Sequence, residues 1–389
     1  MAIPISYNYR NLLARKLTTL LTVLGIALVI FVFTAVLMLA NGLTKTLVST
    51  GSDDNVIIIR KSANSDVLSA VSRDNAKLIE TFPEVASATN GKPMISKEAV
   101  VIINLHKLDT NDMGNVIVRG VSPEAVEMRS QVKLIKGRLW EPAKSEVIVG
   151  RSIHERFKGC QIGDTLRFGT RNWLIVGVFD AQKSGFESEV WGDVEQMMSA
   201  FNRPVYSTLV ARLKDPNLKN TFDTRFASET RLQQLEVKRE KQYYSEQSRP
   251  LANFLTYLGG FITSIFSFGA MIGAAITMYA AVANRTAEIG TLRALGFLRR
   301  NILLAFLLEA LLLAFIGGSL GILLAAGLQF FSISMLNFSS FSEVAFGFTL
   351  SPTIIIQSMI FALIMGIIGG VFPAVSASRL KIVNALRAS

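Results

Sequence analysis

The chain has 389 residues, half of them hydrophobic, with a mean hydropathy of +0.40 and a net charge of +11. A single cysteine, Cys160, excludes an internal disulfide, and one cysteine with two distant histidines, His106 and His154, argues against a Cys/His metal centre. Residues 45–250 hold 30 of the 40 Lys/Arg and 26 of the 29 Asp/Glu, whereas the rest of the chain holds ten against three, so the basic excess lies mostly beside apolar stretches and speaks for membrane orientation rather than nucleic-acid binding.

Residues 1–16 form a short segment whose Arg10, Arg15 and Lys16 precede the first apolar run. Leu17–Thr44 then carries no charge. It exceeds the apolar core of a signal peptide, about 7–15 residues, and is long enough to satisfy its own backbone in lipid as a helix. An uncleaved transmembrane helix over 17–44 is expected, with the basic end in the cytoplasm.

Residues 45–250 read as a mixed α/β domain large enough for its own core. Asn55–Arg60, Ala99–Leu105, Val116–Val121, Glu146–Val149, Thr165–Phe168 and Trp173–Phe179 are rich in β-branched and aromatic residues and read as strands. Arg73–Phe82 has helical spacing and stops before Pro83. A charge-dense stretch from about Leu218 to Gln247 lacks Gly and Pro and predicts a helix feeding the next apolar segment, with Pro250 at a bend or in a first helical turn. Such a helix either carries motion into the membrane or is a passive stalk. No catalytic set is evident: there is no G-x-S-x-G elbow. Asp53, Asp54, Glu187 and Glu189 are expected to be solvated loop carboxylates, and both histidines to lie in strand or loop contexts.

Three more apolar segments follow, over 251–283, 301–331 and 353–377. The linking residues 284–300 carry Arg285, Arg293, Arg299 and Arg300; the tail 378–389 carries Arg379, Lys381 and Arg387; the short loop 332–352 carries only Glu343. Four crossings put every basic linker on one side and the domain 45–250 on the other, as the positive-inside rule requires. Within 284–300, Glu288, Thr291, Leu292 and Leu295 recur at i, i+3, i+4 and i+7 and would share one face of a short helix, with Gly290 and Gly296 permitting close approach or a bend. That face suits docking into a partner's groove or lying on lipid headgroups. Gly269/Gly273, Gly317/Gly321 and Gly366/Gly370 are spaced for close helix packing, within one subunit or between two. Glu309 is the only acid well inside an apolar segment and has no evident charged partner in another, so a structural hydrogen-bonding role is expected.

Several stretches resemble the MacB/FtsX-type permeases of ABC transporters: YRNLLARKLTTLLTVLGIALV (9–29), VIVRGVSPEAV (116–126), KGRLW (136–140), EVIVGRSIHERF (146–157), IGD (162–164), WLIVGVF (173–179), EIGTLRALG (288–296), Glu309-Ala310 with Gly317, Gly318 and Gly321, and the closing Phe372-Pro373-Ala374, Ala377-Ser378-Arg379 and NALR (384–387). They run in order along nearly the whole chain. The resemblance implies a four-helix permease with an extracytoplasmic α/β domain between helices 1 and 2, in a bacterial inner membrane. It further implies a cytoplasmic ABC ATPase as partner and a second permease copy, with segments one and two at the seam. A periplasmic adaptor of the membrane-fusion type and an outer-membrane channel are plausible further partners. On the same ground Arg285, Glu288, Ile289, Gly290, Thr291, Leu292, Arg293, Ala294, Leu295 and Gly296 are the ATPase-coupling loop. The sequence holds no G-x-x-x-x-G-K-[ST] phosphate loop, so this chain is expected to bind no cofactor and to act as a permease rather than an enzyme, with ATP and Mg bound by the partner. The resemblance suggests mechanical export of substrate from the periplasm or outer leaflet. Lipoprotein release, as in the LolC/LolE permeases, and non-transport regulation of a cell-wall hydrolase, as in FtsX, are the alternatives; the size of the 45–250 domain favours transport. GFESEVWGDV (185–194) departs from the family pattern.

Overall fold

The computed structural model describes residues 16–89 and 91–380. The expectations that rest on Arg10, Arg15, Lys381 and the closing NALR lie outside them. The chain divides into two compact units: a polar unit of Gly42–Asn253 with Ser332–Gly347, and an apolar unit comprising the residues up to Asn41, Phe254–Phe331 and those from Phe348 on.

The polar unit is built on a ten-stranded sheet. Its strands are β1 (Asn55–Arg60), β2 (Ile95–His106), β3 (Met113–Val121), β4 (Lys133–Gly137), β5 (Glu146–Gly150), β6 (Thr165–Phe168), β7 (Arg171–Asp180), β8 (Glu189–Asp193), β9 (Thr208–Arg212) and β10 (Leu235–Arg239). They lie in the order β10-β1-β9-β2-β3-β8-β5-β7-β4, with β6 beside β7. Pairing is antiparallel except at β3–β8 and β5–β7. Two clusters fill the core. One joins Val56, Ile58, Leu209 and Leu235 of the strands to Ile79, Phe82 and Phe222, and the other joins Val118, Val147, Val190 and Trp173 to Ile153 and Phe157.

Short helices cover the sheet: α2 (Arg73–Glu80), α3 (Glu124–Met128), α4 (Arg151–Arg156), α5 (Val194–Ala200) and α6 (Lys219–Ser228), after the long α1 (Lys16–Val48) that opens the described chain. Side chains that favour helix starts begin two of them: Ser72 accepts from the Asn75 N–H and Asp193 from the Gln196 N–H. His154 lies in α4, not in a strand or loop.

One expected helix is broken. Leu218–Gln247 holds α6, the strand β10 and only the first turns of the next helix. Lack of Gly and Pro permits a helix but does not require one. Leu235 and Val237 alternate with Glu236 and Lys238, and this period of two places Leu235 in the core as β10 pairs with β1. The next helix, α7 (Glu240–Ala283), therefore begins ten residues before Pro250, which sits inside it.

Among the described residues, four helices are long and apolar enough to cross a membrane, with their apolar stretches in the apolar unit: α1, α7, α9 (Arg299–Ala326, with a further turn to Phe330) and α10 (Pro352–Ser378). Ser351 caps α10 by accepting from the Ile354 N–H, with Pro352 in the first turn. Inside, Thr34 donates to Ser358 at 2.9 Å and Thr22 to Thr277 at 2.9 Å, so hydroxyls satisfied across helices supplement apolar packing.

The loop 332–352 is more ordered than its sequence suggests. It contains a hairpin, β11 (Ser332–Leu336) and β12 (Glu343–Gly347), that belongs to the polar unit. Its one charge, Glu343, pairs with Lys107 at 2.6 Å and Arg156 at 3.3 Å, and the Ala345 N–H donates to Ser188 Oγ at 3.1 Å.

Candidate functional site

Between α7 and α9 lies α8 (Thr286–Ala294), the short helix expected from the spacing in 284–300. It ends in a Schellman arrangement: Gly296 takes φ +92°, and the Phe297 N–H donates to the Leu292 carbonyl at 3.2 Å. Ile289 and Gly290 are buried, Ile289 among Val282, Ile302, Phe306 and Ala310. Arg293 is half-buried and donates to the Phe297 carbonyl at 3.3 Å. Glu288, Thr291 and Ala294 are exposed, Leu292 is half-buried and Leu295 is 71% exposed. Glu288, Thr291 and Leu295 thus face out, and Ile289 and Gly290 fasten the opposite side to the bundle. The outward face of α8 therefore combines an exposed apolar residue with a glutamate and a threonine.

Arg285, just before α8, does not face out. Its guanidinium donates to both oxygens of Glu309 in α9, at 3.0 and 3.3 Å, and lies 6.0 Å from the Phe306 ring centre. Both side chains of the pair are only 5% exposed. The sequence offers Glu309 no charged partner in another apolar segment; the structure supplies one from just beyond such a segment, in the 284–300 linker. Arg285 sits at the edge of its apolar segment, where it counts as an orienting charge; the fold turns it inward because a buried carboxylate without a cation is expensive in an apolar setting.

The three glycine pairs separate into two kinds. A Cβ at Gly317 would lie 3.0 Å from Ile26 and one at Gly321 2.5 Å from the Ala27 carbonyl oxygen, so this pair seats α9 on α1. A Cβ at Gly366 would lie 2.5 Å from Ala314 Cβ, and one at Gly370 would overlap Ala310, so this pair seats α10 on α9. Gly269 and Gly273 meet nothing within 4 Å; with Gly25 and Thr22 of α1 they line an open groove of about 430 Å³. Gly259, outside any pair, is as tightly placed, against Val36. Gly370→Val should therefore lower the thermal midpoint of the monomeric solubilised chain, by the roughly 1–3 kcal/mol of overpacking, while Gly269→Val leaves that of the monomer unchanged. Equal effects at the two sites would contradict this division.

In the polar unit, four carboxylates and two guanidiniums are buried together. Arg119 reaches Asp66 at 2.9 Å and Glu98 at 2.8 Å and forks onto Glu189 with two bonds of 2.7 Å; Arg129 reaches Glu98 at 2.6 Å and Glu240 at 3.4 Å. Glu189 is thus no solvated loop carboxylate. It opens β8, accepts from Trp191 Nε1 at 2.7 Å and is buried. Burial holds its carboxyl above the usual range despite Arg119. Burial acts the same way on Glu98, but Arg129 and Arg119 together outweigh it and hold that carboxyl below its usual value. Glu187 is half-buried and accepts the Ala181 N–H at 3.2 Å and the Lys183 N–H, whereas Asp53 and Asp54 are exposed as expected. Among the described residues no three His, Cys, Asp or Glu side chains gather to hold a metal ion.

The MacB-like periplasmic core domain matches residues 19–228, more than half of the chain, and the FtsX-like permease C-terminal domain matches residues 260–382, which include α8 and the Glu309 pair. The chain belongs to the MacB/FtsX-type family of ABC transporter permeases. Similar proteins include the macrolide export ATP-binding/permease protein MacB of Brucella abortus, 25% identical over 93% of this chain and 56% of that protein. The corresponding protein of Bdellovibrio bacteriovorus is 25% identical over 98% and 61%, and that of Bartonella quintana 26% identical over 96% and 57%. The permease thus spans less than two thirds of the length of these relatives. Among solved structures, the periplasmic region of MacB from Actinobacillus actinomycetemcomitans is similar with a TM-score of 0.38 at 12% identity, over 50% of this chain and 92% of that one. The extracellular domain of the ABC-type transporter YknZ from Gram-positive bacteria follows with 0.35 at 12% identity, over 47% and 99%. In this permease the buried charge cluster escapes sequence reading almost entirely; its one signal is Arg119 itself, an arginine between Val118 and Gly120 in an otherwise apolar strand.

Proposed function

We propose that this permease is the membrane subunit of an ATP-driven export system of the inner membrane, in which α8 receives the movement of a cytoplasmic ATPase supplied by a separate chain that binds ATP and Mg. The observation that carries this reading is the two-sided construction of α8: Ile289 and Gly290 are packed into the bundle and Arg285 is tied to Glu309, while Glu288, Thr291 and Leu295 remain outward. A helix built so can take a load on one face and deliver it to α7 and α9. The work comes from contacts that differ between the nucleotide states of the partner. The positive-inside pattern supports α8 in the cytoplasm and the polar unit in the periplasm, where a membrane-fusion adaptor and an outer-membrane channel would complete the export path. The groove along Gly25, Gly269 and Gly273, which no helix among the described residues fills, supports a second copy packing there as a homodimer.

Leu292→Asp tests the coupling assignment. It puts a charge at the half-buried border of the docking face, and recovery of the ATPase with tagged permease from detergent should fall about tenfold or more, as at an interface hot spot. The variant should remain in the membrane fraction at normal level. Undiminished recovery of the ATPase would falsify the assignment.

A further inference from the structure

We propose that the polar unit carries a binding cleft for an uncharged amphipathic molecule, formed between the turn of the β11–β12 hairpin and the first turns of α7. The cleft encloses about 430 Å³, which lies within the range of small-molecule sites, roughly 300–1,000 Å³. Three large apolar side chains border it without being buried by it: Leu68 is 53%, Phe338 47% and Phe341 56% exposed. Isolated exposed hydrophobics are ordinary, but three around one cavity mark a surface that gains by being covered.

The backbone supports the same reading. Phe341 has φ +55°, the left-handed region that suits glycine and is unfavourable for an aromatic residue. The turn holds it there: the Phe341 N–H donates to the Asn337 carbonyl at 2.8 Å, and its own carbonyl accepts from Asn115 Nδ2 at 2.8 Å. A glycine would make this turn without strain, so a phenylalanine at this position is explained by its side chain, not by the turn. The charges at the cleft select against an ionic ligand. Lys238 is already bound to Glu246 at 3.0 Å and to Glu236 at 3.4 Å, and a charged guest would have to break one of these pairs. Asn64 lines the same space and can hydrogen-bond hydroxyl or amide groups, and Ser339, whose hydroxyl donates to the Gln247 carbonyl at 3.3 Å, can accept from them. An alkyl or ring body on Leu68, Phe338 and Phe341 with a neutral polar head fits all of these features. The assignment goes beyond the coupling role of α8 and does not depend on it.

The test uses the full chain in lipid nanodiscs carrying Ser339→Cys. The native Cys160 will not compete for maleimide, because it is buried and its thiol is pushed up to about 12 by that burial. Octyl glucoside, kept below its micelle-forming concentration, should slow maleimide labelling of Ser339→Cys in a saturable way, by at least about fivefold. Octylamine and octanoate should protect much less. Adding Phe338→Ala and Phe341→Ala should abolish the protection, and a Thr110→Cys reporter on an exposed turn should show none. No slowing by the glucoside, equal slowing at Thr110→Cys, or protection that survives both alanines overturns the proposal. Phe341→Gly supplies a second measure independent of folding failure. It should raise the unfolding temperature by relieving the turn while weakening protection; a lowered or unchanged unfolding temperature overturns the strain argument and the proposal with it.

Discussion

Arg119→Leu should destabilise the polar unit by about 3–5 kcal/mol, the magnitude expected when one partner of a buried ion cluster is removed. The guanidinium holds Asp66, Glu98 and Glu189 at once, and all four side chains are buried. Without it, Asp66 and Glu189 lose the cation they pair with among the described residues, and Glu98 is left with Arg129. All three tryptophans of the chain, Trp140, Trp173 and Trp191, lie in the polar unit, and Trp191 itself donates to Glu189, so fluorescence during denaturant unfolding reports the loss directly. The deficit should depend on pH. Carboxylates deprived of their cation have folded pKa values raised above the roughly 4 of the unfolded chain, so between those values the folded state binds more protons than the unfolded one. Stability from such groups falls as pH rises through the window. The variant should therefore be closer to the parent at pH 5 than at pH 8. Adding Glu189→Gln should return part of the loss at pH 8. A deficit independent of pH would mean that Arg119 matters by packing alone.

Arg285→Leu should be of similar size in the apolar unit. It leaves Glu309 as a carboxylate among Phe306, Ala310 and the neighbouring helices, where one unpaired charge costs roughly 2.5–3.5 kcal/mol on insertion scales. The expected result is reduced recovery of folded chain from detergent and, on the coupling reading, loss of ATP-dependent function. Arg285→Leu/Glu309→Leu should regain most of the recovery, because an apolar pair of similar volume replaces a buried salt bridge at little cost. Recovery without function in the double variant would assign the pair to transmission; recovery with full function would assign it to folding alone. Glu309→Gln, which keeps hydrogen-bonding oxygen and nitrogen beside Arg285, should fall between.

Much of the architecture is legible in the sequence because its signals are local and strong. Four long apolar runs become four helices, and the β-branched runs 55–60, 116–121 and 173–179 become β1, β3 and the body of β7. The periodicity of 288–295 is enough to place α8 and its outward residues. What the sequence hides is pairing at a distance. Glu309 meets a cation 24 residues away, and Glu189 meets one 70 residues away on a parallel neighbouring strand. No local pattern encodes either contact. Charged residues in GFESEVWGDV read as a solvated loop because polar composition normally marks exposure; here the charges are inside because their counterions are too. The same limit explains β10, whose five residues take strand form only because β1 lies beside them.

The proline within α7 bears on how that helix could behave under load. Pro250 has no N–H to offer the carbonyl one turn earlier, so a rung is missing from a 44-residue rod close to its first quarter. A rod with such a joint resists stretching nearly as well as an intact one but buckles more readily when compressed. Displacement applied along α7 is therefore expected to survive as a pull and to be spent as a change of angle when it is a push.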